Sequence, residues 1–281
     1  MSGADGAGAS ASALASLLAQ DIHLHTSFSD DAVSPLPEVV AAAECRGLRR
    51  ICISDHVRAA TTWLPRYVAE VQAARLTTGV ELLTGVEAKI LDASGAVDVP
   101  ADLTGIDRVL IADHQFPGES GPARPDVIAA RIAAGELGAA EAVETLVEAT
   151  CAAIRSVHGP VLAHLFSLLP KIGLTEADVP EPLVAALADT AARFDAILDV
   201  NEKWRCPSPA VVRRFLAAGV EVAAGSDSHR AQTVGRFAWV SATLTRAAAD
   251  PWTGSLPGPG AVSSSQPLPA PLAADRPTAG A

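Results

Sequence analysis

The chain has 281 residues, of which 49% are hydrophobic and 19% charged, and its formal net charge is −11. This composition fits a soluble globular protein with enough apolar material for one large domain or two small ones. The acidic balance argues against a nonspecific nucleic-acid binder, which would carry a basic face.

Four cysteines, Cys45, Cys52, Cys151 and Cys206, are scattered and form no Cys-x-x-Cys pair, so reduced thiols in a cytoplasmic protein are expected. Residues 1–18 are rich in Gly, Ala and Ser and lack a basic segment. They read as a loose tail or short fraying helix rather than a signal peptide. No stretch is long and apolar enough to span a membrane. From Asp250 onward Pro, Gly, Ser and Ala dominate, and a disordered tail over 250–281 is expected. The working domain is therefore 19–249.

Seven apolar runs inside that domain read as strands. They are Asp21–His25, Arg50–Ser54, Val80–Leu83, Arg108–Ile111, Val161–Ala163, Ala196–Val200 and Val220–Ala223. Helical patterns fall between them. Ser34 is the expected cap of a first helix, with Pro35 at its first position and Gly47 closing it. Further helices are predicted over 65–76, 139–157, 180–193 and 208–218, the last capped by Ser208 ahead of Pro209. The 115–135 segment is predicted to be a loop lining an entrance. Strand–helix alternation of this kind indicates a parallel sheet or barrel.

Polar residues fall at the strand ends in order: His25, His56, Glu87, His114, His164, Asn201-Glu202 and Asp227/His229. In α/β barrels the carboxyl ends of the strands converge on the active site. The pattern therefore predicts a distorted (β/α)7 barrel. Six of the seven histidines, His23, His25, His56, His114, His164 and His229, lie in short motifs with the look of metal ligands. Imidazole mixed with carboxylate suits zinc, manganese or iron.

Each motif has an ordinary explanation when taken alone. His23-x-His25 and Asp227-x-His229 could be satisfied structural pairs, although strand parity puts both members on one face. Asp30 and Asp31 could serve turn chemistry or a helix start. Asp55-His56 could pin a loop, His114 could be solvated, and His164 could be a core histidine. Glu87 is harder to explain, because a buried carboxylate needs a partner. His158, ahead of Gly159-Pro160 at a helix end, is read as structural.

The string Asp21-Ile-His-Leu-His-Thr-Ser-Phe-Ser-Asp30, then Ile53-Ser-Asp-His56, Gly85-Val-Glu87 and Gly225-Ser-Asp-Ser-His229, resembles the polymerase and histidinol-phosphatase (PHP) superfamily over roughly residues 20–240. The resemblance implies a distorted seven-stranded barrel carrying two or three divalent ions. It implies that His23, His25, Glu87 and Asp227 hold a first metal. Glu87 would bridge to a second metal bound by His114 and His164. A third would be held by His56, His229 and Asp30, with Asp31 able to substitute. Glu87, Asp227 and His229 are expected at the reacting centre. Lys171 and Arg205 fall where the family carries phosphate-binding basic residues, and Arg58 is a further candidate. Ordinary surface charge is the competing explanation for Lys171 and Arg205. Arg suits bidentate phosphate recognition and Lys acts as a point charge.

The implied activity is histidinol-phosphatase-like hydrolysis of a small phosphate monoester by a metal-activated hydroxide. Two other readings compete. One is a nuclease or nucleotide phosphodiesterase, against which stand the acidic balance and an aromatic content of only 4%. The other is a non-catalytic metal-binding regulatory module, against which stands the apparently complete ligand set. The expected partner is a small phosphorylated metabolite, with no membrane or nucleic acid.

Overall fold

The computed structural model of the chain describes residues 12–249, so most of the 1–18 segment and the whole 250–281 segment lie outside the described residues. Residues 12–17 are helical and Leu17 is buried in the core, so this part of the expected tail packs as a short helix.

Seven parallel strands form one sheet, and all seven coincide with predicted runs. They are β1 (Gln20–Leu24), β2 (Arg50–His56), β3 (Glu81–Lys89), β4 (Arg108–Ala112), β7 (Val161–Ala163), β8 (Ile197–Asn201) and β9 (Glu221–Gly225), paired in that order. A parallel bridge between Leu24 and Ser228, with bonds from Asp227 N to His23 O (2.9 Å) and from His25 N to Ser228 O (2.9 Å), brings the last strand back to the first. The result is a nearly closed barrel. β3 runs further than predicted, through Gly85, so that Glu87 lies inside the strand and pairs with His56 of β2.

Alternation along the strands divides the core. Cys52, Leu110, Ala112, Val161, Ala163, Ile197 and Ala223 belong to a small cluster that plugs the barrel interior. Their neighbours Ile51, Ile53, Val109, Ile111, Leu162, Leu198 and Val222 join the large cluster packed under the helices. The interior-facing parity continues upward from Cys52 to His56 and from Ile197 to Asp199 and Asn201. A polar layer therefore sits directly on an apolar plug.

Helices cover the barrel at Leu36–Cys45, Leu64–Arg75, Ala139–Ser156, Glu181–Arg193 and Pro209–Ala217, close to the predicted spans. Ser208 caps the last of these, accepting from Val211 N. The first helix differs in its cap. Its N-cap is Pro35, and Ser34 Oγ instead accepts from Ala231 N (3.0 Å), tying the helix start to the loop after β9. The connection from β3 to β4 contains no α-helix, which is one source of the barrel's distortion.

The 115–135 segment is not a plain loop. It forms a hairpin, β5 (Phe116–Gly118) with β6 (Gly121–Ala123), and a helix over Pro125–Ala133. Only Gln115 of this segment lines the cleft described below. Gly121, at φ 121°, makes the hairpin turn, and Pro125 at the helix start sets the next element. A final helix, Ala238–Ala249, also goes beyond the predicted set.

Candidate metal centre

The carboxyl ends of the strands open into a cleft of about 560 Å³. Glu87, 1% exposed, stands at its floor with five imidazoles around its two oxygens. Oε1 lies 2.9 Å from His164 Nε2 and 3.1 Å from His114 Nε2. Oε2 lies 3.0 Å from His56 Nδ1, 3.3 Å from His23 Nε2 and 3.4 Å from His25 Nε2. Despite this crowding, Oε2 has no partner with hydrogen-bond geometry. His25 Nε2 is also 3.5 Å from Asp227 Oδ1.

The outward-facing ring nitrogens explain this orientation. His23 Nδ1 donates to Asp199 Oδ2 (2.9 Å), and His25 Nδ1 faces Ser29 Oγ (3.3 Å). His164 Nδ1 faces Ser167 Oγ (3.0 Å) and Asp113 Oδ1 (3.5 Å). In each ring an outer partner takes Nδ1, which leaves the Nε2 lone pair aimed at the common centre. Such convergence of imidazole and carboxylate lone pairs on shared points is the arrangement a divalent cation satisfies. Among the described residues, four overlapping groups have ligand atoms within 4.8 Å of one another: His23/His25/Glu87, His23/His164/Asp227, His56/Glu87/His114 and His25/His56/His229. The donor set thus fits a divalent ion. His56 faces two of these groups at once.

Electrostatics keep the oxygen donors ionised. Burial alone would raise the pKa of Glu87, but His114 and His23 beside it hold the carboxyl well below the usual range. Asp227 is held well below its ordinary value against the same burial by His23 and His25. Burial lowers His25 to about 3, so its ring is neutral.

Backbone strain falls on two of these groups. His164 (φ 34°) and Asp227 (φ 52°) occupy the left-handed region. Strict alternation after Ala163 would turn His164 out of the barrel, and its left-handed backbone turns it in. Asp199 Oδ2 accepts from His164 N (3.2 Å), which supports that conformation. Gly225 gives Asp199 its room, since a methyl there would overlap both the Asp199 carboxylate and His23 Cβ.

A sequence model of the PHP domain matches residues 21–202. The chain belongs to the PHP-domain family. A curated relative described as a "probable phosphatase", from Enterobacter sp. (strain 638), is 29% identical over 232 residues, covering 77% of this chain and 81% of its own. Another of the same description, from Thermoanaerobacter sp. (strain X514), is 26% identical over 234 residues, covering 78% and 82%. The fold is similar to that of the histidinol phosphate phosphatase of Lactococcus lactis subsp. lactis, solved with zinc, L-histidinol and phosphate. That likeness has a TM-score of 0.57 at 18% identity and covers 81% of this chain and 90% of the other.

In this PHP domain, eight of the nine expected ligands come together at the strand ends as described, and the ninth position has two neighbouring candidates, Asp30 and Asp31. Asp30 lines the cleft, but it is Asp31 whose Oδ2 lies 3.1 Å from His229 Nε2 and 3.7 Å from His56 Nε2. The loop register sets this difference. Asp55 accepts from Thr26 N (2.8 Å), Thr26 Oγ1 (2.7 Å), Ser29 N (3.1 Å) and Ser29 Oγ (2.6 Å), fixing the turn so that Asp31 points at the imidazoles. Asp55 is therefore a loop anchor. Asp21 is another, accepting from Ser226 N (2.8 Å) and Gly235 N (2.9 Å).

The basic residues also sort differently. Lys171 and Arg58 line the cleft as expected, and Lys171 Nζ lies 3.9 Å from the centre of the Trp204 ring. Arg205 does not line it. The turn closed by Asn201 N to Cys206 O (2.9 Å) leaves Arg205 at φ 53° and exposed, while Lys203 reaches inward. Lys203 Nζ lies 3.3 Å from Asp227 Oδ1 and 3.2 Å from His229 Nδ1. Sequence reasoning missed Lys203, although it stands in the same Asn201-to-Cys206 string. It also missed Asp199, whose signal was a lone acid inside an otherwise apolar strand. His158 is exposed and outside the cluster.

Proposed function

We propose that this chain is a metal-dependent phosphatase that hydrolyses a small phosphate monoester. The observation that carries the reading is the convergence of His23, His25, His56, His114 and His164 on the two oxygens of one buried carboxylate, Glu87, with outer partners holding three of the rings. His23, His25, Glu87 and Asp227 would hold one divalent ion, and Glu87, His114 and His164 a second. His56, His229 and Asp31 would hold a third, with Asp31 taking the part first assigned to Asp30. Ions bound there would polarise a water for attack and neutralise charge on the phosphoryl oxygens.

The chain's own residues would do the rest. Asp199 and Asp113 orient His23 and His164. Lys203 and Lys171 supply positive charge beside the cluster, where a transferring phosphoryl group carries its negative charge. Burial lowers the pKa of Lys171, so its ammonium is held at a partly desolvated site where ion pairing with an anion is strengthened. The relatives described as probable phosphatases support the activity, and the Lactococcus complex with zinc, L-histidinol and phosphate supports a small organic ester.

Chelator-treated protein should lack turnover of p-nitrophenyl phosphate, and added zinc or manganese should restore it. Protein that binds metal but hydrolyses no phosphate ester would favour the non-catalytic module instead.

A further inference from the structure

His56 and Glu87 are paired across β2 and β3, and the ladder continues outward through Val57 N to Glu87 O (2.9 Å). Two residues further along each segment stand Arg58 and Lys89, both lining the same cleft. Two residues of extended chain advance roughly 7 Å. The two cations therefore stand at neighbouring positions on the same rim of the cleft, above the candidate ligands. In the barrel order, β2 and β3 are separated from β7 and β8 by β4 on one side and by β9 and β1 on the other, so Arg58 and Lys89 face the wall bearing Lys171 and Lys203.

Lys89 is held in place by one hydrogen bond and one ion pair. Its Nζ donates to Gln115 Oε1 (3.2 Å) and lies 3.7 Å from Asp98 Oδ2, beyond hydrogen-bond reach. An ammonium has three donors, so capacity remains on the cleft side. Asp98 also accepts from Ala59 N (2.8 Å), which fastens the Arg58 segment to the same carboxylate. Arg58 itself has no acidic partner among the described residues. Of the carboxylates that line the cleft, Glu87, Asp227 and Asp31 face the histidines, leaving exposed Asp30, with Asp98 beside Lys89 below the rim, to offset this pair.

Resting on the phosphatase reading, we propose that Arg58 and Lys89 form a second anion subsite, so that the preferred substrates are phosphate monoesters carrying another anionic group, carboxylate or phosphate. A distal amine, such as that of L-histidinol phosphate, would meet two cations there and be disfavoured.

The test uses two matched pairs on the metal-loaded protein: 3-phosphoglycerate against glycerol 3-phosphate, and fructose 1,6-bisphosphate against fructose 6-phosphate. The first pair reports a carboxylate as the second anion, and the second pair reports a second phosphate. Within at least one pair, kcat/KM should favour the doubly anionic member by about tenfold or more, the worth of one charge-assisted bond. In Arg58→Ala/Lys89→Met that ratio should fall to near unity. Calorimetric binding of the same ligands provides a readout independent of turnover. A binding preference lost in the variant, with no hydrolysis of any ester, would uphold the subsite and remove the phosphatase reading. Metal-dependent hydrolysis with no preference in either pair, or a preference unchanged in the variant, would overturn the subsite alone.

Discussion

Asp199 Oδ2 accepts a hydrogen bond from His23 Nδ1 at 2.9 Å, inside a barrel where both side chains are fully buried. This contact sets which nitrogen of His23 faces Glu87. The same oxygen accepts from His164 N (3.2 Å) and Asn201 Nδ2 (2.9 Å), so one carboxylate orients two candidate ligands. Asp199→Asn keeps the shape but can turn an N–H toward His23. Loss of such an outer partner costs roughly 10–100-fold in metal affinity. Competition against a metal chelator should show a loss of that size, with the far-ultraviolet spectrum unchanged. Unaltered affinity would remove Asp199 from the centre.

Asp31 and Asp30 are neighbours with different surroundings. His229 and His56 outweigh partial burial and lower the pKa of Asp31, keeping it ionised. Asp31→Ala should therefore reduce the stoichiometry of bound metal, whereas Asp30→Ala should leave it unchanged. The reverse ranking would restore Asp30 as the ligand.

Lys203 and Arg205 provide a similar contrast. Lys203→Ala should raise KM for a phosphate ester about tenfold or more, the usual loss when a charged hydrogen-bond donor is removed. Arg205→Ala should not. An equal rise in both variants would mean that the turn over 201–206 presents Arg205 to the substrate.

Metal loading should be coupled to protons. Burial opposes charging of His164, but its contacts with Asp113 and Glu87 prevail and lift it to about 9 in the metal-free protein. His23 and His56 are raised as well, chiefly by Glu87 against the opposing effect of burial. Ligation needs neutral imidazole, so binding at pH 7 must release protons and must strengthen as pH rises toward 9. The sign for stability follows. A histidine with a raised folded pKa contributes stability below its unfolded value of 6.5, and that contribution is lost as pH rises through about 9. Metal-free protein should lose thermal stability between pH 7 and 9, while the loaded protein loses less. Calorimetry in buffers of different ionisation enthalpy measures the proton count. A count of zero would contradict these assignments.

The barrel and most of the residues that cluster at its strand ends were legible because strand–helix periodicity and motif spacing are local properties. His23-x-His25 lies on one strand face by parity, and Glu87 sits where an acid interrupts an apolar run. What escaped depended on contacts distant in sequence. Asp199 serves His23 across 176 residues, and nothing in its own strand reveals that partner. The difference in surroundings between Asp30 and Asp31 is a one-residue matter of loop register, which Asp55 fixes through four hydrogen bonds to Thr26 and Ser29. Lys203 and Arg205 are separated by a turn whose left-handed residue reverses their directions. The hairpin over Phe116–Ala123 escaped because its two three-residue strands are too short to show alternation.

The histidines around Glu87 are proposed to hold catalytic metal. Elemental analysis of purified wild type and His23→Ala/His25→Ala, alongside turnover of p-nitrophenyl phosphate, tests this most directly. The wild type should carry divalent metal and hydrolyse the ester, and the double variant should lose both while remaining folded. A variant that keeps its full metal content and turnover would contradict the claim.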